Sequence, residues 1–176
     1  MRPADLTPVA RDVMKGPASA GLMFFSMLAG YMVSALPWSG KWLLSRPDVL
    51  LIVLIFWTIH EPRSIGQGIA FLMGLLMDVS DSMLLGQHAF AYVVATFGAQ
   101  VLRVRILSFH LPEQTLHILG LTVAASGVTL LLNLLLGADF PGPYFFVSPV
   151  VTALIWAPVN WVLYSPAARR RRESTP

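Results

Sequence analysis

Gly66-Gln67-Gly68-Ile69-Ala70-Phe71-Leu72-Met73-Gly74-Leu75-Leu76-Met77-Asp78-Val79-Ser80-Asp81-Ser82-Met83-Leu84-Leu85-Gly86-Gln87-His88-Ala89-Phe90-Ala91 is the stretch that decides how this chain is read. Two apolar runs flank a polar centre, Asp78 to Ser82. An ionisable group at mid-bilayer costs about 2.5–3.5 kcal/mol on insertion scales, so such groups belong where they meet water, a cavity or protein. The polar centre is therefore either a turn at a membrane surface or a site.

Working outward, the whole chain is apolar. Of 176 residues, 56% are hydrophobic and 12% charged, with a mean hydropathy of +0.68. Soluble domains carry roughly twice that charged fraction, about 25%. Several long apolar runs then imply an integral membrane protein, all-α, folded as a single six-helix bundle. The chain has no cysteine, which excludes disulfides, thiolate metal sites and cysteine nucleophiles. The net charge is +3, but the basic residues are grouped rather than striped, so no nucleic-acid surface is expected.

Residues 1–18 read as a cytoplasmic tail broken by Pro3, Pro8 and Pro17. The membrane domain covers residues 19–165, and residues 166–176 form a basic cytoplasmic tail containing Arg169 to Arg172. The first span runs from Ser19 to Leu36. Val33-Ser34-Ala35 imitates a signal-peptide cleavage site, but the run exceeds the usual apolar region of about 7–15 residues. Trp38 and Trp42 suit an interfacial belt. A short second span covers Asp48 to His60, and Glu61-Pro62-Arg63 turns the chain. The third span starts near Ile65, the fourth runs from Met83 to about Leu102, and Arg103, Arg105 and His110 are expected in the loop that follows. Pro112-Glu113 suits a helix N-terminus. The fifth span covers Gln114 to Leu136, and the sixth covers Tyr144 to Tyr164, bent by Pro149 or Pro158.

Small residues recur four apart: Ser26, Gly30 and Ser34; Gly66, Ala70 and Gly74; Ala91, Ala95 and Ala99. Such faces let membrane helices approach closely, and the Gly66, Ala70, Gly74 face is the expected dock for a partner helix. With six spans, Arg2, Arg11, Lys15, Arg63, Arg103, Arg105 and the four terminal arginines share one side, against Lys41 and Arg46 on the other. The positive-inside rule makes the first side cytoplasmic. The acids Asp48, Asp78, Asp81 and Asp139 sort to the outer side.

Chemistry has one candidate cluster. Asp78 and Asp81 are three apart and share a face on a continuing helix, with His88 seven residues further on. Two carboxylates and an imidazole suit a divalent ion. The preferred reading is a solvated turn whose acids cap helix ends, because no other outward acid or histidine is expected to converge there. On that reading Asn should replace Asp78 well and Leu should not. No nucleophile elbow and no Gly-Lys-Ser/Thr loop occurs. His60, Glu61 and His117 are scattered, and the terminal arginines read as a topology anchor with some attraction to anionic lipid. No catalytic residue, metal or cofactor is called for.

Arg46-Pro47-Asp48 opens an apolar run closed by Pro62, and Gly74-Leu75-Leu76-Met77-Asp78 is followed by Gly86-Gln87-His88-Ala89. In these residues the chain resembles the MreD family of rod shape-determining proteins, over most of residues 45–165. The resemblance implies the cytoplasmic membrane of a bacterium and a non-enzymatic role in cell elongation. Its partner there is MreC, a single-span protein with a periplasmic domain. Around the pair stand the actin-like MreB, a SEDS-family glycosyltransferase and a transpeptidase. It further implies a fold similar to the substrate-binding subunits of energy-coupling-factor transporters. Two functions follow: a scaffold that docks a partner helix, and a small-molecule binding or transport subunit. The second predicts more polar residues along the spans than Asn133 and Asn160. An intramembrane hydrolase would require a base and nucleophile pair that the sequence does not offer.

Overall fold

The computed structural model describes residues 19–36, 46–82 and 85–164. Both tails, the tryptophans of the first loop and the expected start of the fourth span at Met83 lie outside the described residues. Helices α1 (Ala20–Ser34), α2 (Val49–His60), α3 (Gln67–Ser80), α4 (Gln87–Ser108) and α5 (Leu111–Leu135) are followed by a 3-10 turn (Pro143–Phe146), α6 (Val147–Leu154) and α7 (Trp156–Leu163). Among the described residues three segments are long and apolar enough to cross a bilayer: Gln87–Ser108, Leu111–Leu135 and Pro143–Leu163. The helices α1, α2 and α3 are apolar but shorter. The protein is an all-α membrane protein.

The helix α2 is the centre. Its sequence is apolar all round, the signature of a helix with no solvent face. Every residue from Leu50 to Ile59 is buried. Around it lie α1, α4, α6 and α7. Large apolar side chains are left uncovered on these outer helices, such as Phe24, Phe25, Phe97, Val101 and Trp161, and on α3 and α5, such as Leu72, Val79 and Leu131, where lipid can meet them.

Both ends of α2 need partners for backbone groups that a helix leaves unpaired. At the first turn, Leu50 N donates to Ser34 Oγ at 3.1 Å and Leu51 N to Asp48 Oδ1 at 2.9 Å. Asp48 N donates to Thr152 Oγ1 of α6 at 2.9 Å. At the last turn, Arg103 Nε donates to the Ile59 carbonyl at 2.5 Å. That bond corrects the expected loop. Arg103 and Arg105 stay on α4, which runs on to Ser108, and α5 opens at Leu111 with Pro112 and Glu113 in its first turn. The connection is thus Phe109-His110 alone, with His110 N donating to Glu113 Oε2 at 3.1 Å.

The sixth segment is interrupted at one residue, Ile155, which itself keeps right-handed helical φ and ψ. Pro149 lies in the first turn of α6, where a missing N–H costs nothing. Pro158 cannot donate to Leu154 four residues back, and α6 ends there.

The small faces are spent inside the bundle. A Cβ on Gly30 would stand 3.3 Å from Leu50 Cα, and Ser26 Oγ accepts from Trp57 Nε1 at 2.8 Å, so this face of α1 lies on α2. A Cβ on Gly74 would strike the backbone of α4, overlapping Ala89 Cα and standing 2.6 Å from Ala89 N and 2.7 Å from His88 C. Ala70 is fully buried, and only Gly66 of the expected docking face has open space. The Ala70–Gly74 part of that face is therefore closed by α4 and cannot receive a partner helix.

Gly74→Ala should accordingly separate α3 from α4 and lower stability by about 1–3 kcal/mol, the usual cost of overpacking. Gly120 of α5 has nothing within 4 Å of its would-be Cβ. Gly120→Ala should leave stability unchanged or raise it. Thermal unfolding of both variants in detergent checks the pair, and equal losses would place the tight contact elsewhere.

Candidate functional site

At the end of the bundle where α2, α4 and α6 begin and α3 and α5 end, the polar residues converge. The turn from α3 to α4 is built by Asp78. Its carboxylate sits in the last turn of α3, where the helix dipole is unfavourable to an anion, but it points at the N-terminus of α4, where the dipole favours one. Oδ2 accepts from Gly86 N at 2.7 Å, and Oδ1 accepts from His88 N at 2.8 Å. His88 Nδ1 stands 2.9 Å from the same Oδ1 and donates to it. Gly86 caps α4 with φ +110°, a conformation that favours glycine, and it has no side chain to serve the helix amides. Asp78 supplies that cap from eight residues away and is fully buried.

Asp81, expected to share the role of Asp78, does something else. Arg46 grips it with two parallel hydrogen bonds, Nη1 to Oδ1 at 2.8 Å and Nη2 to Oδ2 at 2.6 Å. This planar fork ties the segment leading into α2 to the end of α3. The Arg46 carbonyl in turn accepts from Ser148 Oγ at 2.6 Å. Asp48 completes the cluster: besides capping α2, its Oδ1 accepts from Tyr92 Oη of α4 at 2.9 Å. The expectation that no other acid converges on the polar centre is therefore corrected. Asp48 and Asp139 line one cavity with Asp81 and His88. Among the described residues no group of three or more His, Asp or Glu side chains is placed to hold a metal ion.

The cavity has a volume of about 520 Å³. It exists because the central helix is short. Twelve residues of α2 span about 18 Å, whereas the 25 of α5 span about 37 Å, at 1.5 Å per residue. Beyond the end of α2 the taller helices enclose a well floored by Arg46, Asp48 and Leu51. Along α5 its wall carries Thr122, Ser126, Thr129 and Asn133. These four are spaced four, three and four apart, a single helical face. That spacing was a readable signal, although counting strongly polar residues finds only Asn133 and Asn160. Asn160 lies at the other end of the bundle, where its amide donates to Gln114 Oε1 at 3.5 Å across to α5. Arg46 and Asp48 stand two apart, but nothing in the sequence joined them to Tyr92, which lies 44 residues beyond Asp48 on α4.

With this geometry in hand, the similarity to known proteins can be stated. The family model described as rod shape-determining protein MreD matches residues 17–166. The rod shape-determining protein MreD of Haemophilus influenzae is 29% identical over 72 residues, covering 39% of this chain. That alignment spans 44% of the relative's length. No solved structure matches.

Both carboxylate oxygens of Asp78 accept from backbone N–H groups, and this revises what Asn can do there. An amide offers one acceptor oxygen, so its NH2 would face a donor. Asp78→Asn should cost about 1–3 kcal/mol for the amide left unsatisfied, and Asp78→Leu more. Thermal unfolding in detergent measures both. Full stability of Asp78→Asn would show that the turn holds without its second acceptor.

Proposed function

Because the chain belongs to the MreD family of rod shape-determining proteins, we propose that it is a non-enzymatic scaffold of the bacterial cell-elongation machinery, docking MreC and supporting lateral peptidoglycan synthesis. The observation that carries this reading is the family match over residues 17–166, which takes in every described helix. Around the pair would stand MreB, a SEDS-family glycosyltransferase and a transpeptidase. The helical bundle suits such a role, since its described residues are largely spent on packing and lipid contact rather than on a soluble domain.

In this reading the chain makes six passes through the inner membrane, with both termini cytoplasmic. The three long segments account for three passes and the shorter α1, α2 and α3 for the others. The shortness of α2 is compatible with a pass because it is enclosed by protein over its whole length and need not match the lipid. The ten basic residues on the proposed inner side, against two on the outer, support this orientation. A kinship in fold with energy-coupling-factor substrate-binding subunits belongs to the same reading. Within it, Asp78, Gly86 and His88 shape the outer turn, Asp81 anchors Arg46, and Gly74 and Ala70 fix α3 to α4. Gly66 is left as the one residue of the first-proposed docking face with room for a neighbour.

Two measurements test the reading. The full chain, co-expressed with MreC and extracted in mild detergent, should carry MreC with it. Its failure to do so under conditions that keep the chain folded would remove the docking role. The chain contains no cysteine, so single cysteines report topology without background. Ser39→Cys and Ala138→Cys should react with an impermeant maleimide added to the periplasmic face, and Ser174→Cys should not. Labelling of Ser174→Cys in sealed cells would invert the orientation.

A further inference from the structure

The cavity beyond α2 holds polar atoms that the fold leaves open. Asp48 receives its hydrogen bonds from Leu51 N and Tyr92 Oη on a single oxygen, Oδ1. Its Oδ2 receives none among the described residues, and Asp48 lines the cavity. His88 is fixed through Nδ1, which donates to Asp78, and this leaves Nε2 as the ring nitrogen without a hydrogen bond. That atom lies 3.9 Å from Asp81 Oδ2, beyond hydrogen-bonding distance, and the ring lines the same cavity. Ser126 and Asp139, also on the wall, make no hydrogen bond through their side chains among the described residues.

The charges point one way. The described lining holds one arginine and three aspartates, an excess of two acids before His88 is counted. Arg46 has both Nη groups committed to Asp81, and that pair is internally neutral. What remains facing the space is Asp48, Asp139 and the His88 ring, so the two carboxylates repel a ligand anion and attract a cation. A metal ion would need a tighter convergence of ligands than occurs here. Leu51, Ala91, Ala125, Phe145 and Pro149 line the rest, giving a carbon skeleton apolar wall to lie on. A volume of about 520 Å³ falls within the range of small-molecule sites.

We propose that this cavity binds a protonated amine, whose N–H donors engage Asp48 Oδ2 in a pocket completed by His88 and the hydroxyl face of α5. The ammonium can belong to a free organic amine or to the headgroup of a membrane lipid; the chemistry recognised is the same. The inference rests on the cavity and does not depend on the cell-shape role.

The test uses the full chain in detergent. Butylamine and its N-methylated series, ending in butyltrimethylammonium, are titrated by calorimetry. Native mass spectrometry compares retention of phosphatidylethanolamine with that of phosphatidylcholine. Saturable butylamine binding that weakens about tenfold or more across the series, the size expected for one charge-assisted hydrogen bond, identifies a free-amine site. Preferential retention of phosphatidylethanolamine without butylamine binding identifies a headgroup site. Asp48→Asn should reduce whichever signal is found by about tenfold or more. Asn caps a helix as well as Asp does and keeps an acceptor for Leu51 N. Glu113→Gln, at the other end of the bundle, should leave it unchanged. Failure of both probes overturns the proposal, as does indifference to methylation or undiminished binding by folded Asp48→Asn. Should Asp48→Asn not fold, the methylation series on the unaltered chain decides alone.

Discussion

Hydrocarbon offers no hydrogen bonds, and the rest of this structure depends on how that constraint is met at the ends of one buried helix. Within α2 each amide finds a carbonyl four residues back, but its first amides and last carbonyls do not. Leaving each unpaired in an apolar surround would cost several kcal/mol. The chain answers with its own cap residue, Asp48, and with side chains from other helices: Ser34 of α1 at the first turn and Arg103 of α4 at the last. Thr152 of α6 accepts from the backbone of Asp48 itself. The polar contacts are few, yet between them they join α2 or its cap to α1, α4 and α6.

The same solution creates the cavity. A capped central helix shorter than its neighbours ends below them, and the space above it inherits the capping groups as its floor. Asp48 serves there twice, as the cap of α2 and as the acceptor for Tyr92. Arg46, two residues earlier, reaches Asp81 at the end of α3 and so ties the entry of α2 to the turn that Asp78 builds. Fold and site share their residues. A change at this end of the bundle is therefore felt in stability and in the cavity together, which is why conservative variants are the informative ones.

The small-residue faces of α1 and α3 likewise serve the bundle first. Helices in lipid gain little from burying apolar surface against one another, so close backbone approach and good packing must hold them together. Gly30 allows α1 onto α2, and Gly74 allows α3 onto α4. A face of this kind is legible in sequence as a place of close approach. Whether its neighbour is the next helix of the same chain or another protein is a question of topology, and for Gly74 the neighbour is α4.

The class was legible in composition alone: long apolar runs and scarce charge require a helical membrane protein, because each such run must satisfy its own backbone hydrogen bonds in lipid. The sequence also marked the turn at Asp78, since a carboxylate closing an apolar run must meet a donor, and the start of α5 at Pro112-Glu113, where local chemistry acts within one turn. Only the tertiary structure decided that Arg103 remains helical, because its partner carbonyl lies 44 residues away on α2. Only it decided that Asp48, Tyr92, Asp81 and Arg46 share one end, and that Thr122, Ser126, Thr129 and Asn133 face a cavity rather than lipid. Local patterns are written within a few residues. The site is made by the mismatch in length between helices far apart in the chain, and no single segment records that.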